Sequence, residues 1–221
     1  MKTVKTLVAT SVLSAALLIS VSTQAADKPA VGITPDVTSV SVKHNGKETA
    51  ITRNQDQKNI VNPAFAKTSR KCPPFCIQPV KLGPGVETIA EVEMLDYLSK
   101  MSAGDDSILV IDSRTPDWVK KGTIPGSVNI PWTALNPAKG ADPISIGEIM
   151  VDRFGVQELE GLWDYSNAKT LVLFCNGMWC GQSPNNIKNL LKFGYPADKI
   201  KWYRGGMQDW EILGLSTVKG E

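Results

Sequence analysis

The order of apolar and polar positions divides the chain into three regions. The first begins with Lys2 and Lys5, continues as an apolar run from Leu7 to Val21, and closes on Ser22-Thr23-Gln24-Ala25-Ala26. This is the layout of a secretory signal, with the small residues Thr23 and Ala25 at the cleavage sites and cleavage expected after Ala25. An apolar run of roughly fifteen residues is shorter than the ~20 that span a bilayer. Residues 1–25 therefore read as a leader removed on export, which places the rest of the chain in the periplasm or outside the cell without a membrane attachment.

Residues 26–85 form a polar arm rich in Thr, Asn, Lys and Pro. Val40 and Val42 alternate with polar residues before Asn45-Gly46, as do Thr49 and Ile51 after it. That pattern predicts a β-hairpin with a two-residue turn. Beyond it the arm looks irregular to Lys71. An isolated hairpin is marginal in water, so the arm is expected either to pack on the main domain or to stay mobile.

From Val86 to the end, residues 86–221, apolar runs of strand length alternate with amphipathic stretches, which predicts an α/β domain with a mainly parallel sheet covered on both faces. Ala90 to Met101 carries Val92, Leu95 and Leu98 with acids between them and reads as a helix. Ile108-Leu109-Val110-Ile111 and Leu171-Val172-Leu173-Phe174 are continuous apolar runs, the mark of strands buried on both faces. Pro143 to about Trp163 looks helical, with Ile146, Ile149, Met150 and Phe154 on one side. A further helix comes after Phe174, with Ser183 as N-cap, Pro184 at its first position, Ile187, Leu190 and Leu191 as its buried stripe and Gly194 closing it. Lys199 to Tyr203 is a last short strand.

Charge removes one class of function. The chain has 24 Lys and Arg against 22 Asp and Glu; without Lys2 and Lys5 the two balance. No excess charge argues for nucleic acid or an anionic membrane as partner.

The chemistry lies in the cysteines. Cys175 directly follows a buried strand and precedes a helix, where backbone N–H groups and the helix dipole favour a thiolate. It is the expected nucleophile, against the alternative of a small buried hydrophobe. The loop Asn176-Gly177-Met178-Trp179-Cys180-Gly181 would supply the N–H groups that cradle a persulfide or an oxyanion, with Met178 and Trp179 as hydrophobic cover. Cys180 reads either as a resolving thiol or as the partner in a static disulfide. Cys72 and Cys76, separated by Pro73-Pro74-Phe75, read as a local disulfide stapling the arm or as a redox pair that exchanges with Cys175. They do not make a four-ligand zinc site, since His44 is the only histidine and sits at the hairpin turn as a solvated residue. No cofactor is expected. Asp112 also follows a buried strand and is expected to accept backbone N–H bonds there, with Arg114 paired to an acid on a nearby helix. Arg204 is the expected contact for an anionic substrate. The loop holds no arginine, which argues against phosphate-ester hydrolysis.

Ile108 to Trp118, with Gly122-Thr123-Ile124-Pro125-Gly126-Ser127-Val128-Asn129-Ile130-Pro131 after it, resembles the first signature of rhodanese domains. Leu171 to Cys175 before a glycine loop resembles the second, and Arg204-Gly205-Gly206 with Trp210 and Gly214 resembles the closing motif. Together they cover about Val86 to Thr217. The resemblance implies a five-stranded sheet flanked by helices and sulfur transfer through a persulfide on Cys175, from a small sulfur-containing anion or thiol to a thiol or cyanide. Two departures stand out. Thr123 occupies a position where many members carry histidine, and counting from Cys175 to a cap at Ser183 makes the cysteine loop about two residues longer than usual. Two other functions remain open: a thiol–disulfide redox protein cycling Cys175 and Cys180 against a thioredoxin-like reductant, and a non-catalytic binding module with two structural disulfides.

Overall fold

The computed structural model describes residues 29–220, so the expected leader lies outside the described residues. The arm opens with the predicted hairpin, β1 (Ser39–His44) and β2 (Lys47–Thr52). Val40 pairs with Ile51 and Val42 with Thr49. Asn45 and Gly46 both take positive φ, 49° and 76°, the twist that a two-residue hairpin turn needs.

The α/β domain comprises, in chain order, β3 (Glu87–Ile89), α1 (Glu91–Ser102), β4 (Ile108–Asp112), α2 (Pro116–Val119), β5 (Val128–Asn129), α3 (Pro143–Phe154), β6 (Gln157–Leu159), β7 (Leu162–Asp164), β8 (Thr170–Phe174), α4 (Gln182–Lys192), β9 (Ile200–Tyr203) and α5 (Gly206–Ile212). Five strands form one parallel sheet in the order β3-β9-β8-β4-β5. Side chains alternate across it. Val110, Val172, Phe174 and Tyr203 enter the core that holds α1 and α5, while Ile111, Leu171, Leu173 and Trp202 enter the core that holds α3 and α4. Continuous apolar runs suit both central strands because each face of the sheet is covered.

The arm packs on the domain. Val42, Ile51 and Phe65 are buried in the same core as Met94, Leu98 and Trp210. Lys43 N donates to Ser102 Oγ at 2.9 Å, and Ser216 N donates to Thr52 O at 3.0 Å. His44, expected to be solvated, is half-buried and accepts from Gly126 N at 3.2 Å, because the turn it flanks is pressed against the domain.

Three element predictions need correction. The α1 stripe is Met94, Leu95 and Leu98, with Val92 58% exposed, since the turn through Met94 faces the sheet. α3 stops at Phe154, where Gly155 takes φ 72°, and the chain continues as the small antiparallel hairpin β6–β7. α4 is capped by Gly181, two residues before the expected position.

Candidate active site

In the parallel sheet Asp112, Phe174 and Tyr203 lie in register on adjacent strands. The next residues along each strand, Ser113, Cys175 and Arg204, therefore emerge together at the carboxyl edge, where open α/β sheets bind ligands. The Cys175 loop is tied down on three sides. Its floor is α5: Met207 N donates to Cys175 O at 2.9 Å and Gln208 N to Asn176 O at 3.0 Å. Gly206, at φ 58°, permits this approach, since a Cβ there would lie 2.3 Å from Cys175 O.

The second tie is a buried ion pair. Arg114 donates to Asp112 through Nη2 at 2.6 Å and Nε at 2.9 Å, and through Nη1 to Asn176 Oδ1 at 3.3 Å. Its expected partner on a nearby helix is thus replaced by Asp112 at the strand end. Asp112 also accepts from Arg114 N at 3.1 Å, as expected of a strand-end carboxylate, and from Thr123 Oγ1 at 2.7 Å. Thr123 therefore supplies a hydrogen bond to the network from the position where many family members carry histidine. The third tie is the arm: Gln78 N donates to Met178 O at 2.8 Å. Phe75 meets Trp179 edge to face at 5.6 Å. Trp179 Nε1 donates to Gln208 Oε1 at 2.7 Å.

Cys72 and Cys76 form a disulfide, whereas Cys175 and Cys180 are free thiols, so the arrangement with two structural disulfides is not the one present. Both free thiols are buried, at 2% and 3% exposure. Burial pushes the Cys175 thiol up, but donation from the Cys180 thiol, the Ser183 hydroxyl and the N–H groups of Ser183 and Gly177 outweighs it and brings the group to about 7. Cys180 moves the other way, well above an ordinary thiol, through burial first and then its bond to the Cys175 sulfur and that sulfur's charge. The pair is asymmetric: Cys175 is the more readily ionised thiol and Cys180 the one that keeps its proton.

Ser183, expected to cap α4, has a different role. It is fully buried in the first turn of the helix, and its Oγ donates to Cys175 Sγ at 3.2 Å. Trp202 Nε1 donates to the same Oγ at 3.1 Å. With its lone pair so engaged, the hydroxyl proton is directed at the sulfur, and the chain from indole through hydroxyl to sulfur polarises along its length. A serine in the first turn after a nucleophile loop was the available signal.

A cleft of about 350 Å³ lies against this loop, lined by Pro74, Phe75, Trp118, Trp132, Trp179 and Cys180 among others. Asn176 and Gly181 also face it. Met178 is half-buried outside that lining. Arg204 also lies outside it, its Nη2 donating to Gln78 O at 2.9 Å. A cation stacked on the cleft's Trp179 is Arg70 of the arm, 3.8 Å above the ring. Burial lowers the Arg70 guanidinium and the neighbouring Cys180 sulfur opposes that shift. Nothing in the composition of residues 26–85 singled out Arg70, because the fold alone brings it to the loop.

The chain belongs to the rhodanese-like domain family, whose model matches residues 94–213. The fold and the strand-end cysteine loop agree with that membership. Among solved structures, the human single-domain sulfurtransferase TSTD1 is 20% identical over 56% of this chain and 93% of its own, with a TM-score of 0.34. The BH2092 protein of Bacillus halodurans is 18% identical over 56% of this chain and 70% of its own, at a TM-score of 0.38. A protein of Rhodopseudomonas palustris, described as a possible tyrosine phosphatase, is 18% identical over 62% and 88%, at 0.39. These likenesses concern the fold. No curated protein matches the chain.

Proposed function

We propose that this protein is an exported sulfurtransferase that carries sulfane sulfur on Cys175. The observation that carries the proposal is the environment of that sulfur: buried at the strand end, it accepts from the Ser183 hydroxyl at 3.2 Å, which is itself oriented by Trp202 Nε1. In the reaction with thiosulfate the Cys175 thiolate attacks the outer sulfur, the S–S bond of thiosulfate breaks, sulfite leaves, and Cys175 retains a persulfide anion. The N–H groups of Gly177 and Ser183 and the Ser183 hydroxyl then hold the persulfide charge. An acceptor thiol or cyanide attacks the terminal sulfur and returns the thiolate. Export is supported by the leader pattern of residues 1–25 and by the Cys72–Cys76 disulfide, a bond favoured in oxidising compartments.

The test is Cys175→Ser, assayed by sulfite and thiocyanate release. Loss of transfer with the fold retained is the expected result, and equal activity in mutant and parent refutes the assignment. Sequencing of the exported protein is expected to begin at Ala26.

The closeness of the two cysteines, with Cys175 Sγ 3.5 Å from Cys180 O, favours a second outcome for the persulfide. Cys180 attacks the inner sulfur of persulfidated Cys175, forming the Cys175–Cys180 disulfide and expelling hydrogen sulfide. A thioredoxin-like dithiol then reduces that disulfide and is itself oxidised. Sulfide release in the presence of a dithiol, absent in Cys180→Ser, distinguishes this route from simple transfer.

A further inference from the structure

Away from the cysteine loop, the apolar side chains that the fold leaves in solvent are not scattered. Five of the twelve large hydrophobic residues exposed among the described residues, Ile144, Val151, Leu159, Leu162 and Trp163, belong to α3 and the β6–β7 hairpin. Single exposed apolar residues are ordinary, but a contiguous group marks a contact surface. Ile144 and Leu162 are the most open of the five, at 75% and 74% exposure. All three residues of β6 and two of the three in β7 are exposed, and an isolated two-stranded hairpin is marginal in water. Between α3 and the hairpin runs a groove of about 480 Å³. One wall is the outer face of α3, where Ile144, Gly147 and Val151 fall at i, i+3 and i+7 and so share one stripe. Gly147 lets the other wall come close: a Cβ there would lie 3.4 Å from Trp163 Cη2. Glu148 and Asp152, one turn apart on α3, and Glu158 of β6 give the groove its charge, and no Lys or Arg lines it. None of these three carboxylates enters an ion pair among the described residues.

We propose that this groove is a docking site for a second protein, which lays a short basic amphipathic helix into it. Charge complementarity selects the occupant: the apolar stripe calls for apolar anchors, and the three carboxylates call for Lys or Arg beside them. The stripe from Ile144 to Val151 runs for about 10 Å, two helical turns. A helix seated in a groove fills such a stripe with apolar side chains at i, i+3 or i+4, and i+7. A second copy of this chain is the wrong occupant, because isologous pairing would set the same carboxylates face to face. The acids likewise repel an anionic lipid surface. The docked helix covers none of the residues that line the cleft beside Cys175.

The test is fluorescence anisotropy of labelled peptides of about four helical turns, titrated with the full exported chain. The first peptide places leucine at i, i+3, i+4 and i+7 with lysine on either side, the second carries glutamate for lysine, and the third scrambles the order of the first. The leucine–lysine peptide is expected to bind at least about tenfold more tightly than either control. Glu148→Lys together with Asp152→Lys is expected to reverse the preference between the lysine and glutamate peptides. Ile144→Ser, a surface change, is expected to weaken the lysine peptide at least about fivefold. Hydrogen exchange is expected to slow in residues 143–154 and 157–164 when that peptide binds. Equal affinity for the ordered and scrambled peptides overturns the proposal, as does binding that neither substitution alters or protection confined to other segments. A dimer in sedimentation that Ile144→Ser dissociates identifies a second copy as the occupant and overturns it too.

Discussion

Replacing Ser183 by alanine tests the electrostatics of the site directly. The substitution removes one of the four donors on the Cys175 sulfur and leaves the other three in place. A hydrogen bond to a charged group contributes about 1.5–3 kcal/mol, and one pKa unit corresponds to about 1.4 kcal/mol, so the thiolate is expected to titrate about 1 to 2 units higher. The sign is fixed by the donor's role: the bond favours the charged form, and its loss moves the group up. At pH 7 the parent is about half thiolate, while the variant falls to about 10% or about 1%, a rate loss of roughly 5- to 50-fold that vanishes above about pH 10. The assay is the pH dependence of Cys175 alkylation by iodoacetamide, repeated for sulfur transfer from thiosulfate. Trp202 Nε1 also loses its acceptor, which costs about 1–3 kcal/mol of stability, so a thermal melt accompanies each profile. Ser183→Thr, which keeps the hydroxyl, is expected to restore the acid limb. If Ser183→Ala lowers the plateau and leaves the limb near 7, Ser183 supports packing and the argument from charge fails.

Two further predictions concern the redox state and the ion pair. Denatured protein without reductant is expected to show two titratable thiols, Cys175 and Cys180, and four after reduction; mild oxidation should abolish transfer in the parent by forming a Cys175–Cys180 bond and spare Cys180→Ser, and a variant that is inactivated equally shows that the oxidation does not act through that bond. Asp112→Asn leaves Arg114 buried beside a neutral partner, so urea unfolding is expected to show a loss of about 3–5 kcal/mol, and a change below about 1 kcal/mol would show the pair to be dispensable.

The sheet was legible because its central strands are unbroken apolar runs, and such runs can only be buried on both faces. Cys175 was legible for the same reason, since the end of a buried strand marks the functional edge. The hairpin was equally plain from Asn45-Gly46. What escaped was whatever depended on which neighbour the fold supplies. Ser183 and Gly181 are both acceptable caps, and local preference favours the serine; the sulfur of Cys175 claims its hydroxyl instead, and the helix begins at Gln182. Arg114 and Asp112 are two residues apart, but their pairing requires both to be enclosed by Gly122 and Trp118, whose carbonyls take the remaining guanidinium protons. The end of α3 was overrun because Leu159, Leu162 and Trp163 continue its apolar character, although all three are exposed in the β6–β7 hairpin. Arg70 and Phe75 had no signal at all, being placed by the path of an irregular segment.

That path has a consequence for how the protein can change. The sulfur and its donors lie within residues 94–213, the part shared with the family, as do the three tryptophans of the cleft, whereas Pro74 and Phe75 of its wall, and Arg70 stacked on Trp179, lie in the arm before it. Part of the cleft wall is thus inherited on a different stretch of chain from the sulfur. Substitution in the short disulfide-closed turn can reshape what enters the cleft without touching the polarised chain that makes Cys175 a nucleophile, and an arm grafted from a relative would carry its preferences with it.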